Sequence, residues 1–164
     1  VSRVDAAVDA QLEAVATPAA IELKGEAAIA NAKLAWVAYE DALATAGWAE
    51  LAGAGANPQR PLWASTGVKD PQYDDTRYVI DLATAGCVNT MPEATLNAVD
   101  QHGHVIGDTV RGTGPAAAAV WQSLAGQGIN QGSVCDTLEL VGVQKFIDSW
   151  EQLRITVENA MQGS

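Results

Sequence analysis

Three polar side chains stand where a chain of this pattern could do chemistry. Arg3 follows an opening Val-Ser, Ser65 ends the apolar run Pro61-Leu62-Trp63-Ala64, and Lys69 lies in the polar segment that follows. A fixed cation, best a bidentate guanidinium, joined by a hydroxyl and a second ammonium, is the equipment that holds a phosphate group. Thr66-Gly67 could add backbone donors with room for a close approach. Each residue also has a plainer reading. Arg3 could pair with Asp5 or Asp9 on the surface, Ser65 could be a small core residue at a strand end, and Lys69 could be a solvated loop charge beside Asp70. Asn89 and Thr90 suit substrate contact or the anchoring of a buried strand equally. Glu93, after Met91-Pro92, reads as an acid favoured by a helix start rather than as a general acid.

Other chemistries find little support. Cys87 and Cys135 lie 48 positions apart with no Cys-x-x-Cys or zinc spacing, and read as buried free thiols of a cytosolic protein. His102 and His104 flank Gly103 without nearby acidic ligands, which describes a solvated turn, so no metal site is expected. The five tryptophans (Trp36, Trp48, Trp63, Trp121, Trp150) read as packing residues. With 20 acids against 9 bases the net charge is −11, and a nucleic-acid surface is not expected, because phosphate neutralisation needs clustered Lys and Arg. Acidity does not exclude a small phosphorylated substrate, for which two or three placed bases suffice. Apolar runs such as Ala116 to Trp121 fall far short of the roughly 20 residues of a membrane helix. No signal peptide is recognisable, and Val1 in mid-pattern suggests a chain that has lost its start.

The elements that must position these residues follow from periodicity and punctuation. Hydrophobic residues make up 48% of 164 residues, enough for one globular domain. Val1 to Val4 reads as the end of a strand. Thr17-Pro18 is a helix start with a Thr cap and Pro at the first position. Ala19 to about Ala46 is predicted as one helix ended by Gly47, with Trp48 to Ala52 as a further short turn. Gly53 to Pro58 is a loop, and Pro61 to Ser65 a short, fully buried strand. Thr76 to Leu82 is predicted as a two-turn helix, Cys87 to Met91 as a strand, and Pro92-Glu93 as the start of a helix closed by His102-Gly103. Three more helices follow: Pro115 to Ala125 begun by Thr113, Ser133 to Leu140 stopped by Gly142, and Val143 to Met161. The last keeps Val143, Phe146, Trp150, Leu153 and Val157 on one apolar face. The order strand, helix, strand, helix, strand, helices predicts a parallel α/β arrangement.

Two blocks go further. Arg60-Pro61-Leu62-Trp63-Ala64-Ser65-Thr66-Gly67-Val68-Lys69-Asp70-Pro71, with its spacing to Tyr73, Asp75, Thr76 and Tyr78-Val79, resembles the seventh strand and following loop of transaldolases of the actinobacterial and cyanobacterial type. Val88-Asn89-Thr90-Met91-Pro92-Glu93-Ala94-Thr95-Leu96 resembles the eighth strand and its loop. Val1 to Asp5 looks like the end of the sixth strand, Gly25 to Ala35 like the long helix after it, and Gly142 to Phe146 like the family's tail.

The resemblance implies the C-terminal part of a (β/α)₈ TIM barrel. Residues 1–110 would be the last βα units and 111–164 a helical tail, with Phe146 or Trp150 packing over the barrel mouth or rim. It implies transfer of a dihydroxyacetone unit between sugar phosphates through a lysine Schiff base, in the pentose phosphate pathway, in the cytoplasm and without a cofactor. By that resemblance Arg3, Ser65 and Lys69 are the substrate phosphate ligands. The family's Schiff-base lysine sits in a Lys-Ile-Pro-like motif on the fourth strand, and no such motif occurs here. Of Lys24, Lys33, Lys69 and Lys145 only Lys69 lies at a strand end. No catalytic residue is therefore assigned, and the chain by itself is expected to be inactive. The expected partners are the sugar phosphate and either the missing N-terminal part of the barrel or a second copy, with no nucleic acid and no membrane. The alternative is a non-catalytic binding or interaction protein built from a half-barrel.

Overall fold

The computed structural model describes residues 1–162. Two compact units divide the chain, residues 1–129 and residues from Asn130 onward.

The first unit opens with helix α1 (Ser2–Val15), which buries Val8 and Leu12 on one face. Its early start corrects the expectation of a strand over Val1 to Val4. Only Val1 precedes the helix, its backbone nitrogen 2.6 Å from the Ala64 carbonyl oxygen, and Ser2 N–H donates to Ser65 O at 2.9 Å. Helix α2 (Pro18–Glu22) begins as its sequence predicts: the Thr17 hydroxyl accepts from Ala20 N–H at 3.1 Å, with Pro at the first position. The expected single helix from Ala19 to Ala46 is broken twice. Gly25, at φ 78°, turns the chain before α3 (Ala27–Leu43). The second break falls at Ala44–Thr45, where the Thr45 hydroxyl accepts from Trp48 N–H and starts α4 (Ala46–Gly53). Gly47 therefore lies inside a helix, because a real N-cap two residues earlier decides the boundary.

Two short strands, β1 (Leu62–Trp63) and β2 (Val88–Asn89), pair in parallel, Leu62 opposite Val88 and Trp63 opposite Asn89. The strand predicted as fully buried is buried on one face only: Trp63 is 5% exposed and Leu62 52%. Trp63 joins Ala32, Trp36, Leu82 and Val110 in a core that fastens α3 to the sheet, and its indole N–H donates to Leu82 O at 3.1 Å. Between the strands, α5 (Arg77–Ile80) is one turn rather than two. The carbonyls that would continue it turn elsewhere: Ile80 O and Ala83 O accept from the Thr109 hydroxyl, and Leu82 O from Trp63. Helix α6 (Glu93–His102) carries Glu93 in its first turn and is closed by Gly103, both as read from the sequence. Helix α7 (Gly114–Gly126) packs along α3, with Trp121 and Leu124 buried.

The second unit is one helix, α8 (Gln131–Gln162), where two were expected. Gly142 does not stop it: an interior glycine costs only about 1 kcal/mol relative to Ala, and no cap competes. Arg154 pairs with Glu151 and Glu158 along its surface. Val143, Phe146, Trp150, Leu153 and Val157 are all exposed. Trp36, Trp63 and Trp121 do pack. Both thiols depart from the expectation of burial, Cys87 being half-buried and Cys135 exposed. Cys87 sits at the rim of the sheet, its Sγ 3.2 Å from Thr84 O, and Cys135 lies on α8.

Candidate functional site

The ends of β1 and α1 meet at one place. Ser2 N–H donates to Ser65 O, which seats Arg3, in the first turn of α1, beside Ser65. Arg3 is exposed and forms no ion pair among the described residues. The surface pairing with Asp5 or Asp9 does not occur, because both carboxylates are buried and bonded elsewhere. Ser65 is exposed rather than a core residue, and holds φ 57°, a left-handed conformation uncommon outside glycine. Such backbone strain collects at functional sites, where surrounding structure enforces it. Lys69 is exposed on the loop after β1 and makes no ion pair with Asp70 among the described residues.

Lys69 stands at the wall of an open pocket of about 430 Å³, with Ser2, Asp5, Asp9, Glu13 and Asp70 around it. The pocket itself is acidic and unsuited to an anion. Lys69 is the basic residue in its lining besides the acids, and Arg3 lies outside that lining, one residue after Ser2, whose N–H bonds Ser65 O. Thr66 and Gly67 are closely packed. Thr66 is fully buried, its hydroxyl 2.8 Å from Asn89 Oδ1, and a Cβ on Gly67 would lie 3.0 Å from Pro92 Cγ. Asn89 and Thr90 are anchors of the strand: Asn89 donates to Tyr78 O at 3.1 Å, and Thr90 donates to Trp63 O at 3.2 Å. His102 faces Asp75 at 2.8 Å on the surface, and His104 is exposed. Among the described residues no group of three or more His, Cys, Asp and Glu could hold a metal ion, and no helix is long and apolar enough to cross a membrane.

Four residues that the sequence analysis did not assign to a site, Asp5, Asp9, Tyr73 and Tyr78, wall this pocket. Asp5 and Asp9 are buried one turn apart on α1. Asp5 accepts from Ala28 N–H at 2.7 Å and from the Tyr78 hydroxyl at 2.6 Å. Asp9 accepts from Gly25 N–H at 2.9 Å and from the Tyr73 hydroxyl at 2.8 Å. Burial pushes the Asp5 carboxyl above the usual range, against the pull of its two hydrogen bonds. Burial, and then the bond to a carboxylate, raises both phenols, so they remain donors at any ordinary pH. A signal was there to be read. Asp5, Val8, Asp9 and Leu12 fall at i, i+3, i+4 and i+7, which places two acids on the apolar face of a helix.

Residues 1–157 match the family model described as transaldolase/fructose-6-phosphate aldolase. The chain belongs to that family. It is 54% identical over 153 residues to the transaldolase of Thermobifida fusca, covering 93% of this chain and 42% of the relative. The transaldolase of Frankia alni is also 54% identical, over 164 residues, covering 100% of this chain and 44% of the relative. Transaldolase 2 of Streptomyces coelicolor is 49% identical over 158 residues, 96% of this chain and 42% of its own length. The chain thus spans less than half the length of the curated relatives it matches.

Ser65 permits a test that separates backbone from hydroxyl. Ser65→Gly removes the left-handed penalty of about 1–2 kcal/mol but adds unfolded-state freedom of about 0.5–1 kcal/mol. The variant should be as stable as the parent or up to about 1.5 kcal/mol more stable by urea denaturation. Ser65→Val, β-branched at positive φ, should lose about 1–2 kcal/mol. A glycine variant less stable than Ser65→Val would show that the conformation is not strained.

Proposed function

We propose that this chain is the C-terminal portion of a transaldolase barrel and supplies the phosphate-binding end of its active site. Residues 1–110 would be the last βα units and the remainder the helical tail. One observation carries the reading. Two parallel strands have a helix on one face and an exposed leucine, Leu62, on the other, and at the C-terminal end of β1 the carbonyl of Ser65 takes Ser2 N–H, next to Arg3, with Lys69 on the loop that follows. In a (β/α)₈ barrel that end is the active face, and the uncovered strand face is the barrel interior.

On this reading Arg3 holds the substrate phosphate in a planar fork, Ser65 adds a hydroxyl donor, and Lys69 adds a second charge. The carbon transfer requires an amine that attacks a ketose carbonyl, and a nucleophilic lysine needs a lowered pKa. Lys24 is the opposite case, held above its ordinary value by Glu13 at 2.6 Å. We place the Schiff-base lysine on the part of the barrel that precedes this chain. The partner is then that N-terminal part, joining at the outer sides of β1 and β2, neither of which has a further strand beside it among the described residues. A cytoplasmic location in sugar-phosphate metabolism rests on the same reading.

The test is complementation. This chain is co-expressed with the part of the Thermobifida fusca transaldolase that precedes the matched region, purified through a tag on one piece, and assayed for dihydroxyacetone transfer between sugar phosphates. Borohydride is then added with the donor sugar. The expected result is a one-to-one complex that transfers, with the trapped adduct on the upstream polypeptide and none on this chain. An adduct on Lys69, or a stable complex that neither transfers nor binds sugar phosphate, would overturn the proposal.

A further inference from the structure

We propose that Asp5, Asp9, Tyr73 and Tyr78 are positioning residues: the paired carboxylate–phenol bonds between α1 and the segment after β1 hold Lys69 and Arg3 at a fixed separation. The inference rests on the phosphate reading above and names what sets the geometry of that site.

The bonds close a ring among three segments distant in sequence. One oxygen of each carboxylate takes a backbone N–H, that of Gly25 in the turn before α3 for Asp9 and that of Ala28 in the first turn of α3 for Asp5. The other oxygen takes a phenol, Tyr73 for Asp9 and Tyr78 for Asp5. Arg77 completes the ring. Its guanidinium lies 4.6 Å from the Tyr73 ring centroid and 5.4 Å from that of Tyr78, and it donates to Gly25 O at 2.5 Å. A buried carboxylate without partners is costly, so the arrangement that satisfies both acids is strongly preferred over slipped alternatives.

The loop from Thr66 to Tyr73 is therefore held at both ends. Thr66 is tied to Asn89 at 2.8 Å, and Tyr73 to Asp9 at 2.8 Å. Lys69 rides between these ties. Arg3 stands on the same helix as both acids, two residues before Asp5. Any slackening of the Tyr73–Asp9 tie moves Lys69 relative to Arg3 while leaving the Trp36 core untouched. The acids have a second consequence: Asp5, Asp9 and Asp70 make the pocket floor repel an anion, which confines a phosphate to the Ser65 side.

The experiment uses the 164-residue chain, inorganic phosphate as probe, and residue-resolved amide exchange. Tyr73→Phe keeps the ring over Arg77 and loses only the hydroxyl. Exchange at residues 67–73 should quicken about tenfold and phosphate affinity fall about tenfold, with exchange in α3 unchanged. Asp9→Ala should do the same or more. Asp9→Asn, whose one oxygen still accepts from Gly25 N–H while its amide N–H donates to the Tyr73 hydroxyl oxygen, should recover most of the affinity, a rescue that general destabilisation would not give. Arg3→Ala should weaken phosphate without altering loop exchange. Unchanged loop exchange in Tyr73→Phe and Asp9→Ala, or exchange that quickens equally in the loop and in α3, would overturn the inference. A parent chain that binds no phosphate would overturn the substrate reading alone, and loop exchange would still decide whether the pairs hold the loop.

Discussion

Trp36→Ala is expected to cost about 3–5 kcal/mol, the range for truncating a buried large aromatic, and so to remove much of the stability of the first unit. Trp36 is 2% exposed and touches both the helical and the strand side of the core. Its ring stands 5.2 Å from Tyr39, and the Arg111 guanidinium lies 5.0 Å above it. The indole N–H is buried without a hydrogen-bond partner, so it contributes desolvation cost and no bond. Trp36→Phe, which deletes that orphan donor along with part of the ring, should therefore cost only about 1–2 kcal/mol. Urea denaturation of both variants measures the ratio. Equal losses in the two would mean that the N–H finds a partner in solution, and a loss under about 1 kcal/mol for Ala would mean that α3 is not fastened through this residue.

Gly25→Ala is expected to cost about 2–4 kcal/mol, the left-handed penalty of about 1–2 kcal/mol plus displacement of two held side chains. The backbone sits at φ 78°. An added Cβ would lie 2.7 Å from Arg77 Nη1 and 2.9 Å from Tyr73 Cζ. A free arginine tip would swing away cheaply, but Arg77 is bonded to Gly25 O and stacked on two rings. Tyr73 is tied to Asp9. The strain should thus be relieved by releasing the loop, so phosphate affinity falls together with stability. Thermal denaturation and a phosphate titration on the same variant check this, and a loss of under about 1 kcal/mol would show that the ring of contacts around Gly25 is loose.

Local signals survived into the fold where the groups that set a boundary were local. Thr17-Pro18 and His102-Gly103 mark helix ends in sequence and in space, because a cap bonds within its own turn. They failed where a stronger neighbour competed. Thr45 outranked Gly47, and Gly142 alone could not stop α8. The family was legible from two strand-and-loop blocks, and residues 1–157 match its model.

By itself the sequence determined the two strands that pair, though it added a third over Val1–Val4 where α1 begins, and it named Arg3, Ser65 and Lys69 as candidates. Their types and spacing are properties of short segments. Only the tertiary structure decided that Arg3 is free of Asp5 and Asp9, that Ser65 is left-handed, and that four side chains no one segment contains together form the wall beside Lys69. The physical reason is burial. Whether an acid on a helix is a solvated charge or a buried acceptor depends on which donors the rest of the chain brings to it. Those donors, Gly25, Ala28, Tyr73 and Tyr78, lie 16 to 73 residues away.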